Sequence, residues 1–188
     1  MKKIIIPILL VFALFTASNS YGQASNVVKT SLSAPLFKVY TLAYERAFNA
    51  DMSAQLGLGY FAGWKIGDGK IEGFTVTPEF RYYLNEEKGA PKGGFIAPYI
   101  RYASYTLQVG NPGDVDYGKA SLNVMGGGIL VGTQKIFKDV ISLEAFIGPA
   151  YANASLKVKD GTGITADYDL KLLDGFTVRA GITLGLAF

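Results

Sequence analysis

The last thirteen residues, Phe176-Thr177-Val178-Arg179-Ala180-Gly181-Ile182-Thr183-Leu184-Gly185-Leu186-Ala187-Phe188, alternate without a break. Phe176, Val178, Ala180, Ile182, Leu184, Leu186 and Phe188 fall on one face, and Thr177, Arg179, Gly181, Thr183, Gly185 and Ala187 on the other. A helix would return its apolar residues every third or fourth position, so a period of two predicts a long strand with one apolar face.

The same period runs upstream. Met52, Ala54, Leu56, Leu58, Tyr60, Ala62 and Trp64 oppose Ser53, Gln55, Gly57, Gly59, Phe61 and Gly63, and Phe74, Val76, Pro78, Phe80, Tyr82 and Leu84 oppose Thr75, Thr77, Glu79, Arg81 and Tyr83. Carried along the chain, it predicts eight strands, about 26–33, 36–48, 51–64, 71–84, 93–109, 119–137, 140–158 and 173–188. Turn signals separate them: Ala34-Pro35, Asn49-Ala50, Gly67-Asp68-Gly69, residues 85–92 and 110–118, Lys138-Asp139 and residues 160–174. In strand six the run Gly126-Gly127-Gly128 breaks the alternation and predicts a bulge or a close approach.

Composition narrows the chemistry. A chain of 188 residues has room for one domain with a substantial core; 49% of its residues are hydrophobic and only 18% charged. Cysteine and histidine are both absent, which excludes disulfides, Cys/His zinc sites and every thiol or imidazole catalyst. Lys2 and Lys3, the apolar run Ile4 to Phe15 and the small or polar residues Thr16 to Ala24 read as a secretory signal peptide, cleaved after Gly22 or Ala24. This divides the chain into a leader, 1–22, and a single mature domain, 23–188. Loss of Lys2 and Lys3 lowers the formal net charge from +3 to +1, so the basic pI belongs largely to the leader and gives no reason to expect nucleic acid.

Alternation does not say which face is inside, because a secreted β-sandwich and a membrane barrel share the pattern. The less apolar face carries Gly57, Gly59, Gly63, Gly181, Gly185, Ala43, Ala97 and Ala103 where a solvated sheet would carry Lys, Glu and Thr. Small residues suit the crowded lumen of an eight-stranded barrel, which is filled by its own side chains. Aromatic residues cluster near strand ends, with Tyr60, Trp64, Phe74, Tyr151 and Phe176 toward one side and Phe48, Tyr82, Phe137 and Phe188 toward the other, as interfacial girdles require. Ile141 to Tyr151 is long enough to cross a bilayer when tilted. The expectation is an all-β, eight-stranded, antiparallel up-and-down transmembrane β-barrel.

The chain resembles the small bacterial outer-membrane β-barrels of the OmpA-like transmembrane class. The resemblance is carried by Asn26-Val27-Val28-Lys29-Thr30, Tyr44-Glu45-Arg46-Ala47, Phe95 to Tyr102 and Gly181 to Phe188. It implies a Gram-negative outer-membrane location, outer-membrane lipid and the barrel-assembly machinery as partners, and an assembly signal made of Ala180, Ile182, Leu184, Leu186 and Phe188. No peptidoglycan-binding domain follows the barrel, so the cell-wall tethering of two-domain relatives is not expected. An even strand number places both termini at the periplasmic rim, with the segments 34–35, 65–70, 110–118 and 159–172 facing outward.

Continuing the alternation puts Glu45, Glu79, Arg81, Arg101, Glu144 and Arg179 in the lumen with Gln55 and Gln134, and Lys29 as a further candidate. Three carboxylates and three guanidinium groups then balance. Such a set reads either as a gate or ion path or as a structural plug; forked Arg–carboxylate pairing in a narrow lumen favours the plug. Asp114 with Asp116, and the acidic residues of 160–169, lack an EF-hand arrangement, and Gly67-Asp68-Gly69-Lys70 reads as a hairpin end and not a phosphate loop. Arg46 and Lys135 are placed to snorkel toward headgroups. No metal, cofactor or catalytic residue is expected. Without histidine the lipid-modifying enzymes found on eight-stranded barrels are a poor match. What remains is a non-enzymatic barrel serving envelope structure or loop display, or a narrow conduit for ions or small apolar molecules; no pattern singles out a partner for the surface loops.

Overall fold

The computed structural model describes residues 25–66, 69–84, 89–110, 117–161 and 174–188. The segment read as a leader, Gly67-Asp68, Asp114 and Asp116 lie outside the described residues, as do the side chains of Trp64 and of 160–169. Eight strands follow in order: β1 (Asn26–Ser31), β2 (Val39–Ala47), β3 (Met52–Ile66), β4 (Gly69–Tyr83), β5 (Gly93–Val109), β6 (Gly118–Phe137), β7 (Ile141–Gly161) and β8 (Gly175–Ala187). Each pairs antiparallel with its neighbour in sequence, and β1 pairs with β8, so the sheet closes into an up-and-down barrel.

Closure joins the two ends of the described chain at one rim. Asn26 N donates to Phe188 O at 3.0 Å, and Phe188 N donates to Asn26 O at 2.9 Å. Besides the start of β1 and the end of β8, strands β2, β4 and β6 end, and β3, β5 and β7 begin, at this terminal rim, and the other strand ends lie at the opposite, long-loop end. The alternation maps onto the wall as a closed sheet demands. Leu56, Leu58, Tyr60, Phe74, Phe80, Tyr82, Ile100, Ile147 and Leu184 are exposed on the outer face, whereas Ser53, Gln55, Thr75, Glu79, Arg81 and Glu144 are buried inside. The aromatic residues Tyr60, Phe74, Tyr151 and Phe176 are exposed toward the long-loop end, and Phe48, Tyr82, Phe137 and Phe188 toward the terminal end. Lys135 is outward and exposed near the terminal rim, and Arg46 shares that outward parity.

Three local features depart from the strict alternation. Residues 34–37 form a 3-10 helix, so β1 stops at Ser31 and β2 begins at Val39 and not at 36. Pro35 sits in the first turn of this helix with φ fixed, and Lys38 closes it in the left-handed region at φ 53. The bulges fall between Ala62 and Trp64 and between Lys119 and Ala120, not at Gly126-Gly127-Gly128. At the first bulge Gly63 adopts φ +80, which only glycine takes without strain. The triple glycine instead allows backbones to approach: a Cβ on Gly126 would lie 2.6 Å from Tyr151 O, and one on Gly127 2.7 Å from Tyr99 O.

The lumen is packed at the terminal end. Tyr83, Ala90, Phe95, Ala97, Tyr99, Leu130 and Ala150 form its buried apolar cluster. Residues 90–91 of the β4–β5 connection fold back toward the sheet, with Ala90 N donating to Ala50 O and both Ala90 and Pro91 buried. Small residues make room for large ones. A Cβ on Gly132 would lie 2.6 Å from Phe95 Cζ, and one on Gly181 2.6 Å from Phe146 Cζ.

Candidate functional site

Register alone assembles most of the polar lumen. Pairing sets Glu45 opposite Gln55, Gln55 opposite Glu79, Ser53 opposite Arg81 and Gln134 opposite Glu144. All seven side chains point inward at the terminal end, where the barrel brings distant strands within hydrogen-bond reach.

Two cations form the hubs. Lys29 Nζ, whose side chain is almost wholly buried, donates to Glu45 Oε2 at 2.6 Å, Glu144 Oε2 at 2.5 Å and Gln134 Oε1 at 2.7 Å. An ammonium has three protons, so each finds an acceptor. Arg81 forks onto Glu144, with Nη1 to Oε2 at 2.5 Å and Nη2 to Oε1 at 3.2 Å, while Nη2 also reaches Glu79 Oε2 at 2.8 Å and Nη1 reaches Glu45 Oε2 at 3.3 Å. Its guanidinium carbon lies 4.5 Å from the centroid of the Phe95 ring. One planar cation therefore holds strands β2, β4 and β7 together and stacks on β5.

The carboxylate of Glu45 is satisfied on both oxygens. Glu45 Oε1 accepts from Ser53 Oγ at 2.5 Å and from Tyr83 OH at 2.7 Å. Gln134 Nε2 donates to Pro91 O at 2.6 Å and to Glu45 Oε2 at 3.1 Å, which ties the network to the chain folded beneath it. Because Tyr83 is fully buried and donates to an ionised oxygen, Tyr83→Phe is expected to lower unfolding stability by about 1.5–3 kcal/mol. A urea titration of the folded barrel in detergent checks this, and an unchanged midpoint would contradict the role given to the hydroxyl.

Further up the lumen, Arg179 Nη1 lies 2.7 Å from Glu79 Oε1. Its guanidinium carbon lies over the rings of Tyr99 and Phe146, at 4.6 and 5.0 Å from their centroids. Glu45, Glu79, Arg81, Glu144 and Arg179 are thus brought together with Lys29, Gln55 and Gln134. Arg101 is not joined to them: among the described residues it makes no hydrogen bond or ion pair. The balance of three carboxylates against three guanidinium groups is corrected accordingly. Lys29 is the third paired cation beside Arg81 and Arg179, and Arg101 is a fourth, left over.

Ser53, Tyr83, Phe95 and Tyr99 also build the site, though sequence reasoning did not single them out. Ser53 and Tyr83 carry the inward parity of their strands, so their positions were readable, but nothing in a lone Ser or Tyr announces a carboxylate partner. Among the described residues, no group of three or more His, Cys, Asp or Glu side chains is placed to hold a metal ion. The lumenal carboxylates are taken up by Lys29, Arg81 and Arg179. This arrangement can close the terminal end of the lumen and cross-brace the wall.

Comparison with solved structures gives a consistent fold. The chain is similar to a major outer membrane protein from Thermus thermophilus, with 16% identity, 88% of this chain and 99% of that chain covered, and a TM-score of 0.53. The N-terminal β-barrel domain of Pseudomonas aeruginosa OprF aligns at 14% identity over 89% of this chain and 99% of that one, with a TM-score of 0.45. Acinetobacter baumannii CarO aligns at 10% identity over 91% and 100%, with a TM-score of 0.46. The fold is that of the eight-stranded barrels known from bacterial outer membranes. No curated protein matches the sequence. The family model for proteins of unknown function DUF3575 matches residues 6–160, most of the chain, and the chain belongs to that family.

Proposed function

We propose that this protein is an integral outer-membrane β-barrel, non-enzymatic, exported behind a cleaved leader and closed by the ion-paired plug of its lumen, whose role is envelope structure or the display of its long loops. The observation that carries this reading is the division of the wall. Large apolar side chains face outward on successive strands, while the charged network is buried inside. A barrel leaves no unpaired strand edge around its closed girth, as a bilayer requires of any sheet that crosses it. The terminal rim is assigned to the periplasm, the assembly signal to Ala180, Ile182, Leu184, Leu186 and Phe188, and the lipid contact to the outward faces.

Fractionation provides the test. The protein is expected in the outer-membrane fraction, extractable only with detergent and running as a heat-modifiable band; recovery as a soluble periplasmic protein would overturn the reading. Planar-bilayer recordings of the purified protein are expected to show no steady porin-like conductance. A narrow conduit is the second reading, and cavities of about 360 and 230 Å³ within the lumen favour it. It requires the network of Lys29, Arg81 and Glu45 to part, and reproducible open-channel steps absent from a mock preparation would establish it in place of the plug.

A further inference from the structure

Among the described residues the lumenal charges do not cancel. Glu45, Glu79 and Glu144 are matched by Lys29, Arg81 and Arg179, which leaves the guanidinium of Arg101 without a hydrogen bond or ion pair among the described residues. Its charged neighbours are Arg179 and Glu79, and Glu79 already spends one oxygen on Arg81 and the other on Arg179. A half-buried cation with no counter-charge is costly, so the site favours an anion supplied from outside the chain.

The wall beside it is hollow for a stated reason. Arg101 pairs across the sheet with Gly126, which offers no side chain, and Ala103, Ala150 and Ala152 line the same space. The result is a cavity of about 360 Å³ with Arg101 and Arg179 on its wall, and Tyr99 and Tyr105 beside them. A second cavity of about 230 Å³ touches the same two arginines from the side of Thr41, Thr75 and Thr77. Asp174 lines the rim of the larger one, where it is exposed and accepts from Ala154 N at 3.2 Å.

We propose that Arg101, with Arg179 behind it, binds a small organic carboxylate in this cavity, the carboxylate on the guanidinium fork and a compact apolar body against Ala103, Val124, Ala150 and Ala152. The excess of one positive charge matches a monoanion, and a dianion would leave one negative charge uncompensated. A planar guanidinium donates two parallel hydrogen bonds to a carboxylate. The small aliphatic lining selects an acid with an apolar body over a fully hydrated ion, and the volume falls at the low end of ligand pockets. The site adjoins the plug through Arg179 and does not depend on the cellular location of the barrel.

The test is titration calorimetry on the folded, heat-modifiable protein in a neutral detergent, with benzoate as the probe. Saturable binding of benzoate is expected. Arg101→Gln is expected to weaken it by about tenfold or more, the weight of a charge-assisted hydrogen bond, and benzamide, of similar shape without charge, to bind no better than it does to that variant. Val124→Phe, which fills the cavity and leaves Arg101 in place, is expected to remove benzoate binding as well, and it serves where Arg101→Gln does not fold. No saturable binding by the native protein, or equal affinity in the variants, would overturn the site. Inorganic phosphate binding more tightly than benzoate would overturn the assignment to a carboxylate with an apolar body, and displacement of benzoate by dodecanoate at lower concentration would overturn the assignment to a compact acid.

Discussion

Arg81→Leu is expected to cost the folded barrel about 3–5 kcal/mol. The leucine leaves Glu144 and Glu45 with Lys29 as their only cation and Glu79 with Arg179 alone, so three buried carboxylates face two positive charges. It also removes a fork that spans β4 and β7 and the guanidinium stacked on Phe95. Leucine does not repair the loss, because the polar atoms around it are fixed by register and cannot turn to water. Arg101→Leu is the matched control: it removes the same side chain from the same lumen but breaks no pair, and its shift is expected to be much smaller. Urea titrations of both variants in one detergent, followed by the heat-modifiable band, make the comparison. Equal shifts would mean that burial of any arginine, and not the ion-paired plug, sets the stability.

That contrast also shows what can be read from residue order. Parity is local, and a period of two fixes which face each residue takes, so Glu45, Glu79, Arg81, Glu144 and Arg179 were placed inside from the alternation alone. Height along the barrel axis is not local. It depends on the stagger between strands, which accumulates around the closed sheet through β1–β8 pairing, and parity says nothing about it. Arg101 has the right parity but sits beyond the network, opposite Gly126. Lys29 has the same inward parity on the shortest strand, and only its register with Ala43 and Gly185 shows that its ammonium reaches Glu45, Gln134 and Glu144. The glycines taught a similar lesson. The run at 126–128 serves close backbone packing in an unbroken register with β5, whereas a single Gly63 carries a bulge. The 3-10 helix at 34–37 was concealed because Pro35 reads equally as a turn between strands or as the first residue of a helical turn.

A Lys29→Met and Glu144→Met cycle is expected to show that the plug acts as a unit. Lys29→Met alone strips one cation from Glu45 and Glu144 and orphans Gln134 Oε1, leaving three carboxylates against Arg81 and Arg179, and is expected to cost about 3–5 kcal/mol. Glu144→Met alone frees the fork of Arg81 and leaves an excess positive charge beside Lys29, with a loss of the same order. In the double variant Glu45 and Glu79 face Arg81 and Arg179, so the network is neutral again, and two unbranched apolar side chains of suitable length fill the space left by the pair. The double variant is therefore expected to be more stable than the sum of the two losses allows, with a coupling of about 2–3 kcal/mol in the stabilising direction, and to approach the better of the two singles. The sign follows from desolvation: a buried charge is most damaging when its partner is removed, and least when both are replaced by apolar groups. Additive losses in the two singles and the double, measured by urea unfolding of the detergent-folded barrel, would show that Lys29 and Glu144 are solvated independently by lumenal water, and the terminal end of the lumen would then be open and not plugged.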